Sequence, residues 1–160
     1  ITYANGTLEV TKKAVTITAD SDTKVYDGTA LTKDRYTNTA LANGDSIQSV
    51  TVTGSQTVVG KSANVPSAAK IVNGNGQDVT ESYDITYANG ELEVTPKLVT
   101  ITADSDTKVY DGTALTKDSY TNTELAEGDS IGSVTVTGSQ TVVGKSDNVP
   151  SAAKIVNADG

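Results

Sequence analysis

Histidine, cysteine, methionine, tryptophan and phenylalanine are absent from the 160-residue sequence. Without them the chain lacks the usual proton shuttle, the thiol nucleophile and the soft metal ligands. Its Ser and Thr hydroxyls have no imidazole to activate them, and no Asp or Glu lies in an apolar run of the kind that suits acid–base catalysis. We therefore predict that the chain is not an enzyme and has no cofactor, and we assign it no catalytic, cofactor-binding or metal-binding residue.

Positive charge is also scarce, since 12 Lys and Arg residues face 20 Asp and Glu residues and the net charge is −8. An acidic surface repels phosphate backbones and anionic lipid, so we expect no nucleic-acid partner. No stretch reaches the roughly 20 apolar residues that a membrane helix needs, so we expect no membrane insertion by these residues. Residues 1–20 lack the layout of a signal peptide, and we expect any export signal or anchor to lie outside the sequence.

The chain repeats itself at an offset of 84 residues. Residues 1–76 align with residues 85–160 without a gap, and ten of the 76 pairs differ. No Val or Ile position changes, as expected if substitutions accumulate on a solvent-facing surface around a fixed core. Because the period exceeds those of common solenoids, we predict tandem modules of about 84 residues, each with its own core. The differing pairs are Thr7/Glu91, Lys12/Pro96, Ala14/Leu98, Arg35/Ser119, Ala40/Glu124, Asn43/Glu127, Gln48/Gly132, Ala63/Asp147, Gly74/Ala158 and Asn75/Asp159.

Short stretches of alternating apolar and polar residues indicate β-strands. Val15, Ile17 and Ala19 alternate with threonines, and Val50 and Val52 alternate with Ser and Thr. This period of two is typical of half-buried strands, and no apolar stripe at helical spacing accompanies it. The sequence predicts an all-β chain of tandem Ig-like β-sandwich modules, with β-grasp-like modules as the alternative. Turn-forming residues predict turns at 20–23, 27–28, 43–45 and 74–77.

Two Asn-Gly pairs predict β-hairpins. Asn5-Gly6 lies between two short apolar stretches in residues 1–10, and Asn89-Gly90 lies in the same way within residues 85–94. Asn-Gly tolerates the positive φ angles of a tight turn whose twist matches that of paired strands. We therefore predict one hairpin at each place.

The strand patterns also suggest where one module ends and the next begins. Pro96 lacks a backbone N–H and lies between two strand patterns, so we place a boundary there. Residues 12–95 then form a complete module, residues 96–160 a second module that lacks its last hairpin, and residues 1–11 the C-terminal hairpin of a preceding module. A cut after Gly76 is the alternative. The short connection at Pro96 predicts a stiff rod of neighbouring modules. An incomplete module beside a spare hairpin also raises the hypothesis of head-to-tail self-association by strand addition.

One motif carries a family likeness. Lys24-Val25-Tyr26-Asp27-Gly28-Thr29 recurs at 108–113, preceded by Val-Thr-Ile-Thr-Ala-Asp, and the repeat closes with Ile-Thr-Tyr-Ala-Asn-Gly-x-Leu-Glu-Val. The chain resembles the YDG and MBG-type tandem repeats of large bacterial surface proteins and adhesins over essentially its whole length. This resemblance implies an extracellular β-sandwich module in a long cell-wall-anchored stalk, and it implies no enzymatic site.

Several sets of residues could bind a ligand or form a crosslink, and each has a structural alternative. Tyr26-Asp27-Gly28 is interpreted as a tight turn. The ammonium groups of Lys24 and Lys70 are predicted to face solvent, because each Lys alternates with an apolar residue, and this argues against an isopeptide bond. Six aspartates could hold calcium, although Asp is common in turns for local reasons: Asp20, Asp22, Asp27, Asp104, Asp106 and Asp111. Four tyrosines are predicted to be core or corner residues and not a sugar platform: Tyr26, Tyr36, Tyr83 and Tyr87.

These inferences predict a structural spacer that projects a functional tip from a bacterial cell surface, with neighbouring repeats as its partners. An adhesive module that binds host glycan or protein is the first alternative, because repetition also gives avidity. A fibre subunit that assembles by hairpin exchange is the second.

Overall fold

A computed structural model describes residues 1–157 and shows an all-β chain. The predicted fold class is therefore confirmed at the level of all-β structure in several sheets. No α-helix occurs in residues 1–157, and one turn of 3-10 helix spans Thr80–Ser82. The strands are β1 (Lys13–Ala19), β2 (Asp22–Val25), β3 (Tyr36–Asn38), β4 (Ser46–Thr53), β5 (Gly60–Val72), β6 (Tyr83–Ala88), β7 (Gly90–Thr95), β8 (Ile101–Ala103), β9 (Tyr120–Asn122), β10 (Ser130–Thr137) and β11 (Val149–Val156).

The chain divides into two compact units. The first comprises residues 1–24 and 30–95, and the second comprises residues 25–29 together with the chain from residue 96 onward. Each unit is described separately below.

Two sheets form the first unit. In the first sheet the strand order is β3-β1-β6, and in the second it is β2-β7-β5-β4. Strand β1 pairs antiparallel with β3 but parallel with β6, through six residue pairs from Lys13↔Tyr83 to Thr18↔Ala88. Strand β5 pairs antiparallel with both β4 and β7. The first strand of this unit therefore lies beside β6, whereas the last strand, β7, lies in the other sheet between β2 and β5.

The hairpin predicted at Asn89-Gly90 is wrong. Strand β6 pairs with β1 in the first sheet, whereas β7 pairs with β5 in the second, so the chain changes sheets at Asn89. Gly90 does not have the positive φ that a type I′ turn requires. Its small size serves a different purpose, because a Cβ at Gly90 would overlap the carbonyl oxygen of Asp20.

The hairpin predicted in residues 1–11 is also wrong. These residues belong to no strand, and their apolar side chains project into solvent. Ile1, Tyr3, Leu8 and Val10 are all more than 90% exposed. The Asn-Gly pair cannot hold this short segment in a hairpin without a sheet to pack against, since an isolated two-stranded hairpin is marginal in water.

The core of the first unit is formed by the predicted alternating residues. Val15, Ile17 and Ala19 are buried, and Val15 packs with Ile71 and Tyr83 in one cluster. All ten first-repeat positions that differ between the repeats are exposed, which confirms that substitutions spare the core.

Three of the four predicted turns are present in the fold. The turns at 27–28, 43–45 and 74–77 place glycines in the left-handed region, at Gly28, Gly44 and Gly76. The turn predicted at 20–23 is wrong, because the chain passes there directly from β1 to β2, which begins at Asp22.

The second unit contains two pairs of strands. Strand β8 pairs with β9, and β10 pairs with β11, in the registers that β1/β3 and β4/β5 show in the first unit. At the offset of 84, residues 77–95 have no counterpart within the 160 residues of the sequence. The described part of this unit therefore contains no equivalents of β6 and β7.

Candidate functional site

One polar site of the first unit lies where the chain passes twice from the first sheet to the second. The chain passes from β1 to β2 through Asp20 and Ser21, and from β6 to β7 through Asn89. The Glu91 backbone N–H donates to Ser21 Oγ at 2.9 Å. We call residues 19–21 and 89–91 the crossover. This hydrogen bond joins the two segments of the crossover, and Gly90 lies close to the Asp20 backbone.

Asn64, which is fully buried, fastens the crossover to a neighbouring loop. Its Nδ2 donates to the Asp20 carbonyl oxygen at 2.8 Å and to the Lys33 carbonyl oxygen at 2.7 Å. The orientation of the amide follows from these partners, because the reverse orientation would set three acceptor oxygens against one another. Asn148, at the same repeat position, makes the same bonds to Asp104 and Lys117 at 2.9 and 2.8 Å.

Gly54 makes room for this asparagine. A Cβ at Gly54 would lie 2.7 Å from Asn64 Oδ1 and 2.9 Å from the backbone of the same strand. Oδ1 itself has no hydrogen-bond partner in the protein. The amide therefore serves as a double donor to backbone carbonyls, and the role of Asn64 at the crossover is structural.

Sequence reasoning did not identify Asn64. An Asn flanked by Ala and Val carries no motif, and its partners at positions 20 and 33 are distant in sequence. The one available signal is that Asn64 is unchanged in the second repeat while its neighbour Ala63 is replaced by Asp147.

Tyr83 and Tyr87 anchor backbone amides, each through its hydroxyl. Tyr83 is buried, accepts from the Ala42 N–H at 2.9 Å and donates to Asp45 Oδ2 at 2.6 Å. Burial raises the pKa of Tyr83. Tyr87 is 39% exposed and its hydroxyl accepts from the Ala69 N–H at 2.8 Å. The prediction of a core tyrosine is confirmed for Tyr83, and Tyr87 sits at the surface with its hydroxyl engaged by the backbone.

The Tyr26-Asp27-Gly28 motif forms a turn, as predicted. The Thr29 N–H and Oγ1 both donate to Asp27 Oδ1, at 2.9 and 2.8 Å, and Gly28 has a φ of 85°. In the second unit, which includes residues 25–29, the Tyr26 hydroxyl donates to Asp129 Oδ1 at 3.3 Å. Tyr26 and Tyr36 are each half-buried.

Five of the six aspartates considered for calcium accept local hydrogen bonds through their carboxylates: Asp22, Asp27, Asp104, Asp106 and Asp111. Asp22 accepts from Lys33 Nζ at 3.1 Å and from the Thr23 N–H at 2.9 Å, and the Lys33 bond lowers the pKa of Asp22. Lys108 donates to Asp111 at 2.8 Å and lowers the pKa of that carboxyl. Within residues 1–157, no three acidic side chains come close enough together to hold a metal ion.

The two lysines considered for an isopeptide bond differ in orientation. Lys70 is about half exposed, lies 3.9 Å from Asp78 Oδ2, and alternates with the buried Ile71, as predicted. Lys24 is half-buried whereas Val25 is 55% exposed, so the predicted orientation in β2 is wrong. In this edge strand the inward face carries the ion-paired Asp22 and, with it, Lys24.

The second unit carries shallow surface depressions. One is lined by residues 116–118 and 136–139, beside the Lys117 carbonyl that Asn148 contacts. It is open to solvent and contains one lysine and one aspartate. No helix in residues 1–157 has the length and apolar character needed to cross a membrane.

Comparison with known proteins gives no relative. No protein-family model, no curated protein and no solved structure matches this chain.

Proposed function

We propose that this chain is a structural spacer: tandem β-sandwich modules of about 84 residues in the stalk of a bacterial cell-surface adhesin. The resemblance of the Lys24–Thr29 motif and its flanking strands to adhesin repeats supports the extracellular location. The near-identity of the two repeats, with every difference in the first repeat at an exposed position, supports a role in which one module shape is reused.

The observation that carries the proposal is the parallel pairing of β1 with β6. In a stalk under tension, force enters the module near residue 12 and leaves near residue 96. Because β1 and β6 run in the same direction, these opposite forces slide the two strands along each other. All the slanted hydrogen bonds between them then share the load, whereas a hairpin pulled at its open end loses its bonds one at a time.

The crossover extends this load-bearing pairing into the second sheet. β2 and β7 are also hydrogen-bonded neighbours, and the Thr95 Oγ1 donates to the Lys24 carbonyl at 3.3 Å. Asn64 and Gly90 hold the bend between the sheets. A pull on the two ends of the module therefore acts on two adjoining pairs of strands, one in each sheet.

Single-molecule force spectroscopy tests the proposal, and the absence of Cys allows unique attachment points. In one variant the handles are attached through Lys12→Cys and Pro96→Cys, which shears β1 against β6. In the matched control, Lys12→Cys is combined with Ser82→Cys, which pulls adjacent strand ends apart. All three positions are exposed, so the substitutions leave the core intact.

The sheared module should unfold at a clearly higher force than the control. Its unfolding step should correspond to a contour length of roughly 280–300 Å for 84 residues, less the folded end-to-end distance. Equal unfolding forces in the two geometries would refute the load-bearing role. Dose-dependent binding of the chain to a glycan array would favour the adhesive alternative instead.

A further inference from the structure

Residues 12–95 contain four Asn-Gly pairs, and the two residues of such a pair can react with each other. The pairs begin at Asn43, Asn73, Asn75 and Asn89. The backbone nitrogen of the glycine attacks Cγ of the asparagine, and the lack of a Cβ on glycine leaves this approach unhindered. The reaction needs a side-chain amide that is free to turn and a glycine N–H that is free to lose its proton.

The pair Asn43-Gly44 meets both conditions. It forms the centre of a turn that the Asp45 N–H closes by donating to the Ala42 carbonyl oxygen at 3.1 Å. Both residues of the pair are exposed, and no atom outside the neighbouring residues lies within 4 Å of the place that a Cβ on Gly44 would take. Within residues 1–157, the Asn43 side chain and the Gly44 N–H make no hydrogen bond. The side chain and the peptide group that follows it can therefore rotate in solvent.

The two pairs in residues 73–76 are restrained by hydrogen bonds. Asn73 Oδ1 accepts from the N–H groups of Asn75 and Gln77, both at 3.0 Å, and Asn73 Nδ2 donates to Gln77 Oε1 at 3.0 Å. The Gly76 N–H, which would attack Asn75, donates instead to the Asn73 carbonyl oxygen at 2.8 Å. Each pair must break at least one of these bonds before it can react.

The pair Asn89-Gly90 is restrained by packing. Gly90 is buried, lies opposite Asn64 in the pairing of β7 with β5, and would overlap the Asp20 carbonyl oxygen if it carried a Cβ. Its peptide group therefore has no room to rotate.

The turn at Asn43 also holds the hydroxyl of Tyr83. The Ala42 N–H donates to this hydroxyl at 2.9 Å, and the hydroxyl donates to Asp45 Oδ2 at 2.6 Å. Tyr83 is 4% exposed and belongs to the core cluster of the first unit. Asn43 and Gly44 are thus the two-residue link between the two partners of a buried hydroxyl.

We propose that Asn43 deamidates spontaneously and that its isoaspartyl product opens the turn around Tyr83. The Gly44 nitrogen loses its proton to solvent and bonds to Asn43 Cγ; the Cγ–Nδ2 bond breaks, and ammonia leaves with a proton from solvent. Water then opens the resulting succinimide ring at either carbonyl and gives aspartate or isoaspartate, so one water is taken up for each ammonia released. This modification is independent of the spacer role.

The isoaspartyl product changes the length of the main chain. In isoaspartate the chain runs through Cβ and Cγ, which adds one atom to the link between Ala42 and Asp45. The Tyr83 hydroxyl then cannot keep both of its partners. Loss of a partner by a buried polar group lowers the stability of the folded state.

The second repeat supplies a matched control. Its counterparts of the first three pairs are Glu127-Gly128, Asn157-Ala158 and Asp159-Gly160. The turn is the same at Gly128 as at Gly44, since their φ angles are 84° and 88° and the Asp129 N–H donates to the Ala126 carbonyl oxygen at 3.1 Å. Asn43→Glu should therefore keep the turn and add a charge without lengthening the main chain.

Incubation of the full chain at mildly alkaline pH, followed by peptide mass spectrometry with electron-transfer fragmentation, tests the site. The peptide that contains Asn43 should gain the mass difference between ammonia and water, and its fragment ions should show isoaspartate. Conversion should be about tenfold faster at Asn43 than at Asn73 or Asn75, because those pairs must first lose a hydrogen bond. Asn43→Glu should show no change at this position. Equal rates at the three asparagines, or no conversion at Asn43, would overturn the assignment of the site.

The effect on the core is tested on the isoaspartyl fraction, isolated by hydrophobic-interaction chromatography. This fraction should unfold at a lower urea concentration than Asn43→Glu, which carries the same added charge on a main chain of normal length. In a Tyr83→Phe background the modification should shift the unfolding midpoint much less, because the hydroxyl through which it acts is absent. An isoaspartyl fraction as stable as Asn43→Glu, or an undiminished shift in the Tyr83→Phe background, would overturn the effect on the core.

Discussion

Replacement of Asn64 by leucine should remove a large part of the stability of the first unit. Leucine has a similar volume but cannot donate, so the carbonyl oxygens of Asp20 and Lys33 lose their partner. A buried polar group left unpaired costs about 1–3 kcal/mol, and for two partly buried carbonyls we expect about 2–4 kcal/mol in total. Natural domains have roughly 0.05–0.15 kcal/mol of stability per residue, or about 4–13 kcal/mol for a module of this size. The loss is thus comparable with the whole free energy of unfolding at the lower end of that range.

The second repeat supplies a matched control. Asn148→Leu removes the same two hydrogen bonds, but Asn148 is only half-buried, so water can replace the lost donor. Hydrogen exchange with mass spectrometry, measured at increasing urea concentration, would give the stability of each repeat separately. The ten differing residues make peptides from the two repeats distinguishable. A loss at Asn64 below about 1 kcal/mol, or an equal loss at both positions, would refute the double-donor role.

Replacement of Asn64 by aspartate should make the stability of the first unit fall as pH rises. In Asn64→Asp the side chain would face two carbonyl oxygens without a donor, which raises the pKa of the new acid in the folded state. A raised folded-state pKa means that the stability contributed by the protonated acid is present below the unfolded value of about 3.9 and is lost as pH rises. The variant should therefore be weakest at neutral pH and recover toward pH 4. If the free energies of unfolding of the variant and the wild type differ by the same amount across this pH range, the side chain does not face two acceptor oxygens.

Three further predictions concern packing, a buried hydroxyl and an ion pair. Ile71→Ala should lower the free energy of unfolding by about 2–5 kcal/mol. Ile155→Ala should lower it by much less, because the two residues are 0% and 42% exposed. Similar losses in urea titrations would contradict this. Tyr83→Phe should lower the free energy of unfolding by about 1–3 kcal/mol, because the Ala42 N–H and the Asp45 carboxylate lose their hydrogen bonds to the hydroxyl. Because the folded-state pKa of Tyr83 is raised, the wild type should lose stability above about pH 10, and thermal melts of the variant should lack this part of the loss. Lys33 lowers the pKa of Asp22, so stability should fall as pH drops below about 4, and Asp22→Asn should show a smaller acid-induced fall in the same melts.

The sequence was sufficient to predict the class and the core but not the pairing of the strands. Alternation at Val15, Ile17 and Ala19 depends on local geometry, because successive side chains of a strand point to opposite faces. The outcome at Asn89-Gly90 depends on which distant strand each flank contacts. A short connection can join two strands of one sheet or carry the chain from one sheet to another, and local sequence does not distinguish these cases.

The roles of single residues in the crossover also could not be predicted from local sequence. Gly90 fits a hairpin rule, yet its role comes from a carbonyl oxygen 70 residues earlier in the chain, at Asp20. Asn64 fits no rule at all, because its partners belong to two other segments. Turn residues such as Gly28 and Gly44 were predictable, since their requirement for positive φ arises within a few residues of the chain.

The two repeats provide an internal measure of what strand formation requires. Residues 60–64 and 144–148 differ only at Ala63/Asp147, yet the first segment is strand and the second is not. The Ala/Asp exchange cannot account for this, because residues 13 and 15–16 are identical to residues 97 and 99–100 and show the same contrast. Both contrasts coincide with β6 and β7, which pair with the first-unit segments. The local sequence of these segments therefore allows strand formation but does not determine it. A segment becomes part of a sheet where a partner strand is present.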